Sequence, residues 1–505
     1  MGRHVDAAVM LDLAANTSAQ QIMSKGVCLV FVALLVWLST TAATETAATT
    51  PGFPGPLRVL PTDPRYFTDG RTNSSGSLRA VYLTGSHTWQ NLQDGGPADP
   101  PPAFDYATFL SFLAERNHNF FRLWAWESDR EAAWDKQRVW VQPLPFLRTG
   151  PALTPEGKLR FDLTKSDPEY FRRLHDRVQA AQERGLYVGV MLFQGFSVAK
   201  KSPRAQGNPW PGHPFHRDNN INGIDGDPNG DGQGYEVHTL DIPRITALQE
   251  TYVRKVIDAV GQFDNVIYEI SNESHGGSTA WQYHWIALIR EIEKGLSKQH
   301  PIWMSFQYDG NLGTGTNQSL FESNADVISP HHVSASVDAY MTDPPPSDGS
   351  KVILLDTDHL WGIGGDATWV WKAFTRGMNP IFMDPYQKGS PHGKLRLDPK
   401  WDGIRQALGQ TRLLADRIDL AATRPASKLA SSGYCLANPG HEYLAYLPEG
   451  GEVTLDVSVV AGDLQLEWIR PVEGTIQPAG IVKGGAKRTL KPPFPGHAVV
   501  HLWKR

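Results

Sequence analysis

One stretch of the chain, Asn265-Val-Ile-Tyr-Glu-Ile-Ser-Asn272-Glu273-Ser-His275, runs from apolar residues directly into Asn-Glu. A carboxylic acid at such a strand end can protonate the leaving oxygen of a glycoside, provided a second carboxylate stands across the scissile bond. The neighbouring amide of Asn272 can hydrogen-bond a sugar 2-hydroxyl, a contact that strengthens in the transition state. A helix cap would explain Asn272 or Ser274 but not Glu273. Glu269 shares parity with Glu273 but lies earlier in the strand, which makes it an internal partner for Arg122.

The second acid is sought in Val352-Ile-Leu-Leu-Asp356-Thr-Asp358-His359-Leu-Trp361-Gly362. Asp356 and Asp358 are two apart, so a strand would point both the same way, and their repulsion would raise the pKa of one. Glu273 and at least one of the pair Asp356 and Asp358 are therefore the catalytic candidates, with Asn272 beside Glu273. Arg122, Trp124 and Trp126 share one strand face, where the arginine could hold a carboxylate ionised and the tryptophans could stack on sugar rings. His87, Trp89, Gln194, Gln307, His331, His332, Trp361, Asp384 and Tyr386 follow other apolar runs and complete the expected substrate-binding set, although each tryptophan alone reads equally well as packing.

These residues need a scaffold that gathers strand ends. Eight apolar runs alternate with amphipathic stretches: Ala80–Leu83, Phe120–Trp124, Tyr187–Leu192, Val266–Ile270, Ile302–Phe306, Val327–Ser329, Val352–Leu355 and Pro380–Met383. The expected helices are Tyr106–Arg116, Pro168–Arg184, Ile245–Phe263, Ala280–Leu296 and Trp401–Ile418. The pattern predicts an α/β fold, a (β/α)8 TIM barrel over residues 57–422, whose working residues sit at the carboxyl ends of the strands. An open doubly wound sheet is the alternative, but no glycine-rich phosphate fingerprint follows a strand. Past the linker Ala421–Lys428, short strands punctuated by Gly450-Gly451, Gly484-Gly485 and Pro492-Pro493 predict a small all-β sandwich over residues 425–505.

A different pattern, Asp225-Gly-Asp227-Pro-Asn229-Gly230-Asp231-Gly-Gln233-Gly-Tyr-Glu236, has the spacing of a twelve-residue calcium loop without its flanking helices. It reads either as a structural Ca2+ site or as a solvated turn cluster. No other cofactor is expected.

The N-terminus reads as a targeting segment. Val27–Leu38 is continuously apolar, follows Lys25 and precedes Thr41-Ala42-Ala43, which makes residues 1–43 an extension plus signal peptide and places the mature chain in the cell envelope or outside the cell. Removing Cys28 with that segment leaves Cys435 alone, so no intramolecular disulfide is expected. A net charge of −5 gives no general attraction to nucleic acid or anionic membrane. The expected partner is a carbohydrate, which sixteen tryptophans can serve.

Tyr82-Leu-Thr-Gly-Ser-His87-Thr-Trp89, Asn219-Asn-Ile-Asn-Gly-Ile-Asp-Gly-Asp227 and the Asn272-Glu273 strand together resemble the apiosidase-like glycoside hydrolases, relatives of glycoside hydrolase family 140. The tail, from Gly433 to Gly496, is similar to the domain these proteins carry under a collagen-binding label. The resemblance implies a retaining barrel, with the acid/base after an Asn on the fourth strand and the nucleophile on the seventh. Glu273 matches the first position, and Asp358 takes the second as Asp where relatives often have Glu. The implied activity is hydrolysis of a plant or microbial polysaccharide. A non-catalytic glycan- or matrix-binding protein is the alternative, and a calcium-dependent polysaccharide lyase is a third.

Overall fold

A computed structural model describes residues 52–73, 75–131, 138–203, 205–331, 339–386 and 397–504. The targeting segment and His332 lie outside the described residues, and among those described no helix is long and apolar enough to cross a membrane. The described residues all belong to one compact unit.

Eight parallel strands make the barrel: β1 Gly85–His87, β2 Phe120–Leu123, β3 Tyr187–Gln194, β4 Val266–Asn272, β5 Ile302–Ser305, β6 Val327–Ser329, β7 Val352–Asp356 and β8 Asn379–Met383. Each pairs in parallel with its neighbours from β2 round to β1. The ring closes where the Thr84 carbonyl accepts the Asn119 and Phe120 amides at 3.0 and 3.2 Å. That approach requires Gly85, because a Cβ there would lie 2.2 Å from the Phe120 oxygen.

The first strand corrects the sequence reading. Ala80–Leu83 precedes the barrel strand, and Val81 instead bridges Phe67 in antiparallel fashion. Leu83 and Phe67 are thereby buried with Phe120, Ile267, Trp303 and Val352 in a plug of the barrel. The expected helices form with ends shifted by up to three residues: Tyr106–Glu115, Pro168–Glu183, Pro243–Val260, Thr279–Glu293 and Asp402–Ala415. Caps set the starts of the first two, where Asp105 accepts the Thr108 amide and Asp167 accepts the Glu169 amide. A helix at Ala367–Thr375 and a hairpin of Phe146–Leu153 with Leu159–Ser166 were not expected. The helix reads Ala-Thr-Trp-Val-Trp, rich in strand formers, yet Asp366 caps it through the Trp369 amide at 2.8 Å.

The C-terminal region holds an antiparallel six-stranded sheet and an antiparallel pair, Val453–Asp456 with Lys487–Leu490. Val453 and Leu455 of the pair share a core with Leu464, Trp468, Val500 and the lone Cys435. Burial pushes the Cys435 thiol up to about 12. Trp371, on the late barrel helix, joins the two regions: it stacks on Tyr446 and donates to the Pro471 carbonyl at 2.9 Å.

Candidate active site

At the carboxyl end of the barrel one arginine organises four acceptor side chains. Arg122, on β2, is fully buried. Its Nε and Nη2 donate to the two oxygens of Glu269 at 3.0 and 2.5 Å, and Nη2 also reaches Asn272 Oδ1 at 2.7 Å. Its Nη1 donates to Asp356 Oδ2 at 3.0 Å and Asp358 Oδ2 at 2.9 Å. The rings of Trp124 and Trp303 lie 4.7 and 5.1 Å from the guanidinium carbon, so cation–π contact replaces part of the lost hydration. The expected Glu269–Arg122 pairing is therefore present.

Asp356 has no share in the cavity. Its Oδ1 meets His87 Nε2 and accepts the Asp358 amide, both at 2.9 Å. Burial opposes its charge, but His87 and Arg122 outweigh that and hold the carboxyl below the usual range. Its expected place at the substrate is corrected to a place behind it. The reason is geometric: β7 ends at Asp356, and Thr357–His359 forms a 3-10 turn that redirects the chain. The two-residue parity of a strand no longer applies, and the adjacent residues Asp358 and His359 both face the cavity.

Glu273 follows β4 directly and has φ of +44°, a left-handed conformation that costs a non-glycine residue about 1–3 kcal/mol. The neighbouring β3 end accommodates it through Gly195, where a Cβ would lie 2.1 Å from the Glu273 carbonyl oxygen. One carboxylate oxygen of Glu273, one of Asp358 and a ring nitrogen of His359 lie within 4.8 Å of one another. Among the described residues this is the only such convergence of three or more His, Cys, Asp or Glu. His359 Nδ1 is 3.1 Å from Glu273 Oε1. His359 is absent from the expected set, and only its place beside Asp358 could have signalled it.

Burial, only partly offset by Lys201 and Arg122, pushes the Glu273 carboxyl up to about 7. Burial and then the Glu273 charge push Asp358 up to about 6. The second of those causes vanishes once Glu273 is protonated, while the Arg122 contact to Asp358 remains. Near neutrality the pair thus carries one proton, held on Glu273, with Asp358 ionised.

The two acids open on a cavity of about 610 Å³. Trp89, Trp124, Trp126, His331 and Trp361 of the expected set line it with Asn272. Phe196, Tyr308 and Glu131, which sequence reasoning missed, line it too. Glu131 accepts from Gln90 Nε2 at 3.0 Å. His87, Arg122 and Gln194 stand behind the wall: Gln194 Oε1 accepts from Asn272 Nδ2 and from the Phe196 amide, both at 3.1 Å. Gln307 is engaged by Thr279 and Ser319. Asp384 and Tyr386 are not among the lining residues, which corrects the expectation for both. Asp384 takes two hydrogen bonds from Arg405, at 2.6 and 2.8 Å, and Tyr386 packs its ring 4.9 Å from that of Phe112.

In the 225–236 loop the acids turn onto their own backbone. Asp227 accepts the amides of Gly230, Asp231 and Gly232, Asp231 accepts that of Gln233, and Asp225 accepts that of Asp227. Asn229 donates to Glu236 Oε1, while Glu236 Oε2 is buried without a hydrogen-bond partner.

A family model described as a domain of unknown function, DUF6298, matches residues 135–311, a span that includes β3, β4, Asn272 and Glu273. No curated protein matches the sequence. The fold is similar to the crystal structure of a glycoside hydrolase family 5 protein from Bacteroides vulgatus, with a TM-score of 0.56 and 11% identity over 89% of this chain and 93% of that one. It is also similar to a solved structure described as a glycoside hydrolase, with a TM-score of 0.52 and 11% identity over 89% of this chain and 97% of that one. At such identities the likeness is one of fold.

Proposed function

We propose that the chain is a glycoside hydrolase that cleaves a glycosidic bond of a plant or microbial polysaccharide with retention, through Glu273 as acid/base and Asp358 as nucleophile. The observation that carries this reading is the approach of the two carboxylates to within 4.8 Å at the floor of an aromatic cavity. So close an approach of one oxygen from each acid fits the roughly 5–5.5 Å carboxyl separation of retaining enzymes better than the gap of about 6.5–9.5 Å that admits a water. The turn after β7 brings Asp358 into the same cavity as Glu273 despite its shorter side chain.

In the first step Glu273 gives its proton to the leaving oxygen while Asp358 attacks the anomeric carbon, forming a glycosyl ester and breaking the glycosidic bond. In the second, ionised Glu273 takes a proton from water as that water attacks the same carbon and Asp358 leaves. Arg122 keeps Asp358 ionised between turnovers. Asn272 Nδ2 spends one N–H on Gln194 and has a second to offer a sugar hydroxyl. Trp361, partly exposed, and the flanking tryptophans supply faces for sugar rings.

The kinship with apiosidase-like hydrolases belongs to the same proposal, as does export after cleavage near Thr44. A structural Ca2+ in the 225–236 loop is supported by the orphaned Glu236 oxygen, whose carboxyl burial and then Asp231 and Asp227 push up. The test of function is a panel of aryl glycosides and plant and microbial polysaccharides, run with the wild type and Glu273→Gln. Turnover lost in Glu273→Gln with glycan affinity kept supports the enzyme. Tight glycan binding without turnover by the wild type would favour the binding-protein alternative.

A further inference from the structure

Behind Glu273 runs a buried chain of side chains that the proposed chemistry does not touch. Glu127, just after β2, accepts the β3 amide of Gln194 at 2.7 Å and lies 3.0 Å from His238 Nε2, both through Oε1. His238 Nδ1 is 2.9 Å from Ser274 Oγ, which is 2.5 Å from Ser271 Oγ. His238, Ser274 and Ser271 have no exposed surface. The His238 ring is stacked on Trp281, 4.5 Å between centroids.

The protonation pattern follows from the acceptor at one end. Burial opposes charge on Glu127, but His238 and His213 outweigh it and hold the carboxyl at about 2. An ionised Glu127 can only accept, so His238 donates to it from Nε2, while Nδ1 faces the Ser274 hydroxyl. The order Ser–His–Glu resembles a nucleophilic triad, but Ser274 Oγ is sealed from the cavity and has no substrate to attack.

What the chain does reach is the backbone on both sides of Glu273. Through His238 it fixes Ser274, the residue after Glu273. Through Gln194, whose Oε1 accepts from Asn272 Nδ2, it fixes the residue before. Glu273 lies between these anchors in its left-handed conformation, with Gly195 pressed against its carbonyl. We propose that Glu127, His238 and Ser274 are positioning residues that hold the Glu273 carboxyl in the cavity wall at the angle proton transfer needs. The inference rests on the acid/base reading of Glu273, although what it asserts about the Glu273 side chain can be measured without a substrate.

The experiment compares wild type, Ser274→Ala and Glu127→Gln. Ser274→Ala is the mild variant, removing one hydroxyl and with it the contacts to His238 and Ser271. Infrared difference titration, with Glu273→Gln to assign the band, reads the Glu273 carboxyl directly. Release of the anchors lets water reach it, and its titration should move down by about one pH unit in both variants. With 2,4-dinitrophenyl and phenyl glycosides of a sugar the enzyme accepts, kcat/KM, which reads the first step, should fall about ten-fold on the phenyl substrate, which needs the acid. On the dinitrophenyl substrate, which does not need the acid, kcat/KM should change less than about two-fold. An unmoved Glu273 titration, or equal losses on both substrates, would overturn the proposal. Failure of the acid/base reading looks different: Glu273→Gln would then lose both substrates equally.

Discussion

Two buried aspartates stand one strand apart at the same end of the barrel and meet opposite fates. Asp384, just after β8, takes two hydrogen bonds from Arg405, whose only other carboxylate partner among the described residues is the half-exposed Asp402. Asp358, just after β7, takes one from Arg122, which must also serve Glu269, Asp356 and Asn272. One arginine for one buried acid makes a structural ion pair. One arginine for three buried acids, with a fourth carboxyl in Glu273 nearby, leaves the outermost acid only partly neutralised and facing a cavity. Strand-end position nominates both aspartates, and the ratio of charges separates them.

Exchanging amides for these acids sharpens the contrast most. Asp358→Asn and Glu273→Gln should each lower kcat at least about a thousand-fold on unactivated glycosides, measured by product release. Asp384→Asn should leave kcat within about three-fold yet cost about 3–5 kcal/mol in urea unfolding, because Arg405 is stranded in the interior. A comparable loss of kcat in all three would break the comparison.

Next in size is Gly195→Ala. The added Cβ must displace the Glu273 backbone, so a loss of about ten-fold or more in kcat is expected, with about 1–3 kcal/mol of stability. Crystallographic φ at Glu273 would check the cause.

The pH profile follows from the shared proton. Activity needs Asp358 ionised and Glu273 protonated, so kcat/KM should rise through about pH 6 and fall through about pH 7. The stability effect has its own sign. The Glu273 pKa is raised from 4.5 to about 7, so the native state holds a proton that the unfolded state has lost between those values. Stability must then fall as pH rises through that window. Glu273→Gln should accordingly raise Tm at pH 8 by a few degrees more than at pH 5.

The smallest effect belongs to the C-terminal region, where a histidine has all the partners it needs. His501 lies between Glu442 and Glu467, at 2.9 and 3.0 Å, and these outweigh burial to raise its pKa above 6.5. Its stabilisation is complete below 6.5 and lost as pH rises through the folded value. His501→Gln should cost about 1 kcal/mol at pH 5.5 and less at pH 8.5, with kcat unchanged.

Much of this was legible in the residues. Alternating apolar runs place seven of the eight barrel strands, and Asn272-Glu273 at the end of one puts a carboxyl in the cavity wall. The misreadings share a physical origin. Ala80–Leu83 is apolar because it plugs the barrel, and apolarity does not distinguish a plug from a strand. The 3-10 turn after Asp356 breaks strand parity, which hid His359 and misplaced Asp356. Arg405 reaches Asp384 from a helix that begins 18 residues later, and Glu127 and His238 meet across 111 residues, so no local pattern announces either contact.

The central claim is that Asp358 attacks and Glu273 protonates. Its most direct test is mass spectrometry of the protein after incubation with a panel of 2-deoxy-2-fluoro glycosyl fluorides, followed by peptide mapping. The account predicts one added glycosyl group on the peptide carrying Asp358. A label on another residue, or turnover with inverted anomeric configuration and no label, would contradict it.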